Sequence, residues 1–213
     1  MLKLKELLKL NSMTYSDKIT DKHQKKINMK TEIITEVIVG EVLPPENSSR
    51  ESLRELNWLL EYNDGFIDRN VVDEGDDVRE SFKKYCNDNG LPYDEDYYKK
   101  IVRESTKIIM SLKYKYNRPR PFQLAEFYGI EDFKIHNLDS AKTPSYPSGH
   151  TTQGYLLGYV LGHKYPNHYD EFMKLSKFVS ESRLMARAHF PSDVSFGEKV
   201  AKLIFNNIKG KVK

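Results

Sequence analysis

From residue 50 onward, apolar positions recur at the three- and four-residue spacing of helices. In RESLRELNWLLEY, Leu53, Leu56, Leu59 and Leu60 share a face behind Ser48-Ser49, which can cap a helix. DDVRESFKKYCNDNG closes on Asn89-Gly90, a helix stop. DEDYYKKIVRESTKIIMSLKYKYN is a long amphipathic helix, acidic at its start and basic at its end as the helix dipole favours. The RPRP that follows makes it end at or before Asn117. Behind Ser148 lies a run whose Gly154, Gly158 and Gly162 share one face, the mark of a buried helix that neighbouring backbones approach closely. PNHYDEFMKLSKFVSESRLMARAHF predicts a helix from about His168, broken near Pro191. Ser192 is placed to cap a last helix, DVSFGEKVAKLIFNNIKG, with Gly210 as its terminator.

Strand signals are sparse. Only EIITEVIVG (Glu32–Gly40) is β-like, and LPPENSS (Leu43–Ser49) is a turn or extended linker. Phe122–Ala141 falls in a polar loop. The pattern predicts an all-α, single-domain helical bundle over 43–213, behind a poorly defined N-terminal arm, 1–42.

Composition narrows the class. At 213 residues the chain is long enough for one well-packed domain, and its 31% charged and 38% hydrophobic residues suit a globular protein. A net charge of +3 does not point to a nucleic-acid partner. Cys86 stands alone, so no intramolecular disulfide forms. The opening MLKLKELLKLNS breaks its leucines with lysines and lacks the apolar core of an export signal. It reads as a frayed terminus, with a short amphipathic or surface-lying helix as the alternative. No run reaches the length of a membrane span. The expectation is a soluble, cytoplasmic protein, with homo-oligomerisation left open.

Three segments carry side chains suited to phosphate chemistry, which needs cations, backbone amides, a nucleophile and an acid. In KYKYNRPRP, Lys113 precedes Arg120-Pro121 by seven residues. In PSGH, Pro147–His150, an imidazole and free amides open a helix, where anions bind. In SRLMARAHFPSD, Ser182-Arg183 precede His189, and Asp193 follows it by four. Each has a plain structural explanation when taken singly: a solvated basic helix end, a capped helix, a hydrogen bond across a helix break. His163 and His168 are too loosely placed to argue a metal site.

Together, and in this order, the segments resemble the three-part signature of the type 2 phosphatidic acid phosphatase superfamily, without a substitution at a signature position. The resemblance runs from Lys113 to Asp193. RPRPF, PSYPSGHTT and HFPSD, with LPPENSS ahead of a leucine-rich helix, are most similar to the soluble bacterial class A nonspecific acid phosphatases. Two positions depart from that group: Arg187 stands where a small residue is usual, and Phe190 where Trp is frequent.

The resemblance implies a helical bundle of the acid phosphatase and vanadium haloperoxidase type and a metal-independent hydrolase of small-molecule phosphomonoesters, without a cofactor. An ability to transfer phosphate to alcohols is also compatible with it. Residue by residue, it implies His189 as a nucleophile forming a phosphohistidine, Asp193 as its partner, and His150 as the acid. Lys113, Arg120 and Arg183 would neutralise phosphate oxygens, Ser148 and the Gly149 amide would add neutral donors, and Arg118 would stand behind them as a further cation. The glycine at 149 would let the backbone come close to the anion. Arg187 would either add charge at the pocket rim or lie on a solvated helix face. A vanadium-dependent haloperoxidase and a non-catalytic phosphate-binding module are the competing functions.

Overall fold

The computed structural model describes residues 4–136 and 138–212, and no strand occurs among them. The helices are α1 (Leu4–Asn11), α2 (Asp21–Ile27), α3 (Arg50–Glu61), α4 (Arg69–Glu74), α5 (Glu80–Asp88), α6 (Glu95–Tyr116), α7 (Pro121–Phe127), α8 (Gly149–Lys164), α9 (Tyr169–Met185) and α10 (Pro191–Ile208). The all-α expectation holds.

Helix α8 is the hub. Leu156, Leu157, Val160 and Leu161 are all fully buried, so the middle of α8 is enclosed by its neighbours. Its glycine face lies against α9. A methyl group at Gly158 would sit 2.2 Å from Ser176 Oγ and 3.1 Å from the Phe172 carbonyl oxygen. On another side α10 comes in at Gly197, where a methyl would lie 2.9 Å from the Ser148 carbonyl oxygen. The first turn of α8 is thereby held against α10, and the Ser148 amide donates to the Asp193 carbonyl at 3.0 Å. Helix α6 also packs against α8, with Gln153 Nε2 donating to the Val102 carbonyl at 3.2 Å.

The caps follow the sequence where local chemistry decides them. Ser49 Oγ accepts from the Ser52 amide, Asn117 turns left-handed (φ 46°) to end α6, and Ser148 caps α8. Elsewhere the outcome differs. Helix α9 stops at Met185, short of Pro191, because Arg187 adopts φ 53° and carries its guanidinium away from the helix. Ser192 does not cap α10. Phe190 holds the cap position, its amide donates to Asp193 Oδ2 at 2.8 Å, and Ser192 lies in the first turn. The loop expected from Phe122 begins instead as α7, with Pro121 at its first position, where a missing N–H costs nothing.

The β-like segment forms no strand. The Ile33 and Ile34 amides donate instead to the buried Glu104 carboxylate of α6, at 2.8 and 2.9 Å. The first residues behave likewise: α1 is a helix whose Leu10 is fully buried in a cluster with Leu56, Leu59, Leu124 and Phe190. Tertiary burial supplies what eight residues of isolated helix lack.

Candidate active site

The basic side chains of the first motif are turned inward by their carbonyl partners. Lys113 Nζ donates to the Pro144 carbonyl and, at 3.4 Å, to that of Ser145. Arg120 Nε donates to the Thr143 carbonyl at 2.7 Å, and its Nη1 to the Ala188 carbonyl at 2.7 Å. Ser145 answers from the other strand of chain, its amide on the Arg118 carbonyl at 3.0 Å and its hydroxyl on that of Pro119 at 2.8 Å. The cations therefore fasten segment 143–145 to the end of α6, and that segment delivers Ser148, Gly149 and His150.

His189 lies in the short connection between α9 and α10. Its Nε2 is 3.0 Å from Arg120 Nη1 and its Nδ1 is 3.3 Å from Asp193 Oδ2. A guanidinium has only donors and an ionised carboxylate only acceptors. The proton therefore sits on Nδ1, and Nε2 presents a lone pair. Burial, reinforced by Arg120 and Lys113, holds the imidazole well below its ordinary pKa, so the ring is neutral.

Asp193 is wholly buried. Burial alone would raise its pKa, but Arg118, His189 and the Phe190 amide outweigh it and keep the carboxylate ionised. Arg118 Nη1 reaches Asp193 Oδ1 at 2.6 Å and Ser192 Oγ at 2.7 Å, while Nη2 reaches Glu55 Oε2 at 3.0 Å. Glu55 in turn accepts the Ser192 amide at 2.6 Å. Phe190, the departure from Trp, lies under Arg118, whose guanidinium carbon is 4.0 Å from the ring centre.

The third cation, Arg183, and the second histidine meet at a residue of the α4–α5 connection. Arg183 Nη1 donates to Asp76 Oδ1 at 2.7 Å, and His150 Nε2 is 3.3 Å from the same oxygen. Arg183 Nη2 donates to the Val72 carbonyl at 2.7 Å. Burial lowers the His150 pKa, against the pull of Asp76. Beside His150 opens a cleft of about 300 Å³, lined by Asp76, Asp77, Val78, Arg79, Val102 and Gln153.

Lys113, Arg120 and His189 are thus brought into one buried cluster, and Arg183, bound to Asp76 beside His150, is near enough for its charge to act on Arg120. Burial, with Arg120 alongside, pulls Lys113 well below the usual amine range. Burial also brings Arg120 down to about 10. Both shifts mark the energetic cost of burying these charges without an anion in contact. Ser148 Oγ accepts from Thr151 Oγ1 at 2.9 Å and keeps its own proton to donate. At Gly149 an added methyl would meet Ile109 at 3.5 Å, an ordinary contact, so protein packing does not require glycine there.

Arg187 takes neither of the places expected of it. It is buried, with guanidinium donors on the carbonyls of Leu59, Leu60, Gly65 and Lys134. Its role is to tie the α3 end and the 134 region to the turn before His189. Two residues that support the site carried no sequence signal: Glu55, which holds Arg118 and Ser192, on the polar side of an amphipathic helix pattern, and Asp76, which holds Arg183 and His150, inside an acidic run.

Residues 104–206 match the model of the PAP2 superfamily. Three bacterial phosphatases are similar to it over part of its length. A non-specific acid phosphatase of Providencia stuartii is 37% identical over 92 residues, which are 43% of this chain and 36% of the relative. A non-specific acid phosphatase of Salmonella typhimurium is 34% identical over 46% of this chain and 39% of its own length. An acid phosphatase of Zymomonas mobilis is 31% identical over 50% of this chain and 40% of its own. The matched stretch thus spans about two-fifths or less of these relatives. No helix among the described residues is long and apolar enough to cross a membrane.

Proposed function

We infer that the protein hydrolyses phosphomonoesters without a metal ion, through a phosphohistidine at His189. The supporting observation is the pair of partners on that ring. Arg120 at Nε2 and Asp193 at Nδ1 leave a neutral imidazole with its lone pair directed into a cage of cations. The similarity to bacterial acid phosphatases gives the reaction class.

In the first step the Nε2 lone pair forms an N–P bond as the bond from phosphorus to the ester oxygen breaks. Arg120 turns from the ring nitrogen to the phosphate oxygens, joined by Lys113 and Arg183. Ser148 Oγ–H and the Gly149 amide add neutral donors. Protonated His150 gives its proton to the departing alkoxide, on the side of the small cleft. The N–P bond leaves positive charge on the ring, and Asp193 stabilises it through Nδ1–H. In the second step His150 takes a proton from water, whose oxygen attacks phosphorus. The N–P bond breaks, its electron pair returns to Nε2, and orthophosphate leaves. An alcohol in place of water gives phosphotransfer.

The test is hydrolysis of an aryl phosphate in excess chelator. Turnover that survives the chelator and disappears in His189→Ala supports the reading. Turnover abolished by the chelator, or unchanged in His189→Ala, overturns it.

A further inference from the structure

Both partners on His150 Nε2 come from one residue. The ring nitrogen is 3.2 Å from the Asp76 backbone carbonyl oxygen and 3.3 Å from its carboxylate Oδ1. Both are acceptors only, so Nε2 carries a hydrogen in either charge state of the ring, and Nδ1 is the nitrogen left to exchange protons.

The same Oδ1 accepts from Arg183 Nη1 at 2.7 Å and from Ser140 Oγ at 3.2 Å. The approach is built into the backbone. Asp76 follows Gly75 at the end of α4, and a methyl group on Gly75 would lie 2.2 Å from Ser182 Oγ and 2.5 Å from Ser182 Cβ. Only a glycine lets α4 end this close to the residue before Arg183.

We propose that Asp76 is a positioning residue for the acid–base histidine: it holds Nε2–H of His150 through its carbonyl and carboxylate, aims Nδ1 at the ester oxygen, and ties the ring to Arg183. The tether itself stands on geometry; what Nδ1 does with its proton rests on the phosphatase reading above. With Nε2 fixed, protonated His150 gives up the Nδ1 proton in the first step, and the Nδ1 lone pair accepts one from water in the second. Asp76 does not exchange a proton. The hydrogen bond from His150, with the charges of His150 and Arg183, holds its carboxyl well below the usual range.

The charged groups facing His150 are Asp76, Asp77 and Arg79 from the α4–α5 connection and Arg183 from α9. Of these, Asp76 is the anion in contact. Its removal lowers the His150 pKa, so the protonated fraction at any given pH falls. The limb on which activity is lost as pH rises therefore moves to lower pH.

The experiment has two readouts on the full chain, in the wild type, Asp76→Asn and Asp76→Glu. The first is nitrogen NMR of the histidine rings, with His150→Gln to assign the signal. Wild-type His150 is expected as the Nε2–H tautomer; Asp76→Asn keeps the backbone carbonyl that accepts Nε2–H, so the tautomer is expected to persist while the ring's pKa falls. A wild-type Nδ1–H tautomer, or a His150 titration unchanged in a folded Asp76→Asn protein, would overturn the proposal, whatever the protein catalyses. The second readout compares an alkyl phosphate, which needs its leaving oxygen protonated, with p-nitrophenyl phosphate, which hardly does. Asp76→Asn is expected to lose about tenfold more kcat on the alkyl ester, within the range of general-acid contributions, and Asp76→Glu to recover part of it. Equal losses on both esters with an unmoved pH profile would also overturn it. If wild type and His189→Ala hydrolyse alike, the phosphatase reading fails, while the NMR result still decides the tether.

Discussion

The two histidines of the candidate site are each backed by an aspartate, and the two pairs are built differently. His189 and Asp193 are four residues apart around the start of α10, and the carboxylate also receives the Phe190 amide and Arg118. Asp193 is fully buried, and its supports, Ser192 and Glu55, are held in the same network. His150 and Asp76 are far apart in sequence, and the Asp76 side chain is 41% exposed. The first pair belongs to the packing of the domain; the second is a contact made across it by a connection between short helices. Asp193 lies inside the stretch matched to the PAP2 superfamily and Asp76 outside it. A nucleophile that must stay neutral suits a dry, rigid surround. An acid that must meet a leaving group and then water suits a more open one.

Several substitutions would break or sharpen this contrast. The largest effect is expected from His189→Ala, which should bring turnover down by about a thousandfold or more, since removing a nucleophile leaves only binding and electrostatics. Steady-state kinetics on an aryl phosphate would check it.

Asp193→Asn comes next. It should cut kcat by roughly a hundredfold to ten-thousandfold through loss of the Nδ1–H tautomer, and cost about 1–3 kcal/mol of stability by removing the buried charge that Arg118 and the Phe190 amide share, with Glu55 still on Arg118. Denaturant unfolding beside kinetics would measure both. Asp76→Asn, at a site 41% exposed and with Arg183 still held by the Val72 carbonyl and able to use the Asn oxygen, should cost less, about 1 kcal/mol. Comparable stability losses in the two variants would erase the distinction between the pairs.

Gly75→Ala is expected to cost about 1–3 kcal/mol by overpacking against Ser182, and to reproduce the pH shift of Asp76→Asn by displacing the tether. A pH profile identical to that of the wild type would show that α4 can yield without moving Asp76.

The smallest effect is a pH dependence of stability. His189 is depressed in the folded state, so below about pH 6.5 the unfolded chain binds more protons and stability falls as pH falls. Asp193, also depressed, adds a loss of the same sign below about pH 4. Thermal melts from pH 8 to pH 4 should therefore slope downward, and His189→Gln should flatten the upper part of that slope.

The same division explains what could be read from the sequence. Ser49, Asn117 and Ser148 act through their own backbone neighbourhood, and all three end or begin helices as their chemistry requires. Lys113, Arg120, Arg183, His189 and Asp193 were legible as a spaced set, and the fold gathers them. Where tertiary partners decide, local signals misled. Glu104 took the amides of the β-like segment, Glu55 took Ser192 from its capping place, and four carbonyls drew Arg187 away from the pocket rim. Asp76 was hidden for the same reason. An aspartate in DEGDD has nothing beside it to announce a histidine 74 positions further on.

The central claim is that His189 Nε2 becomes covalently bonded to phosphorus. Rapid quenching of turnover into alkali, followed by peptide mass spectrometry, tests it most directly. An acid-labile, alkali-stable phosphate on the peptide carrying His189, formed and lost at the rate of turnover and absent from His189→Ala, is the predicted result. Turnover with no phosphoenzyme at any quench time, or with phosphate on another residue, would contradict it.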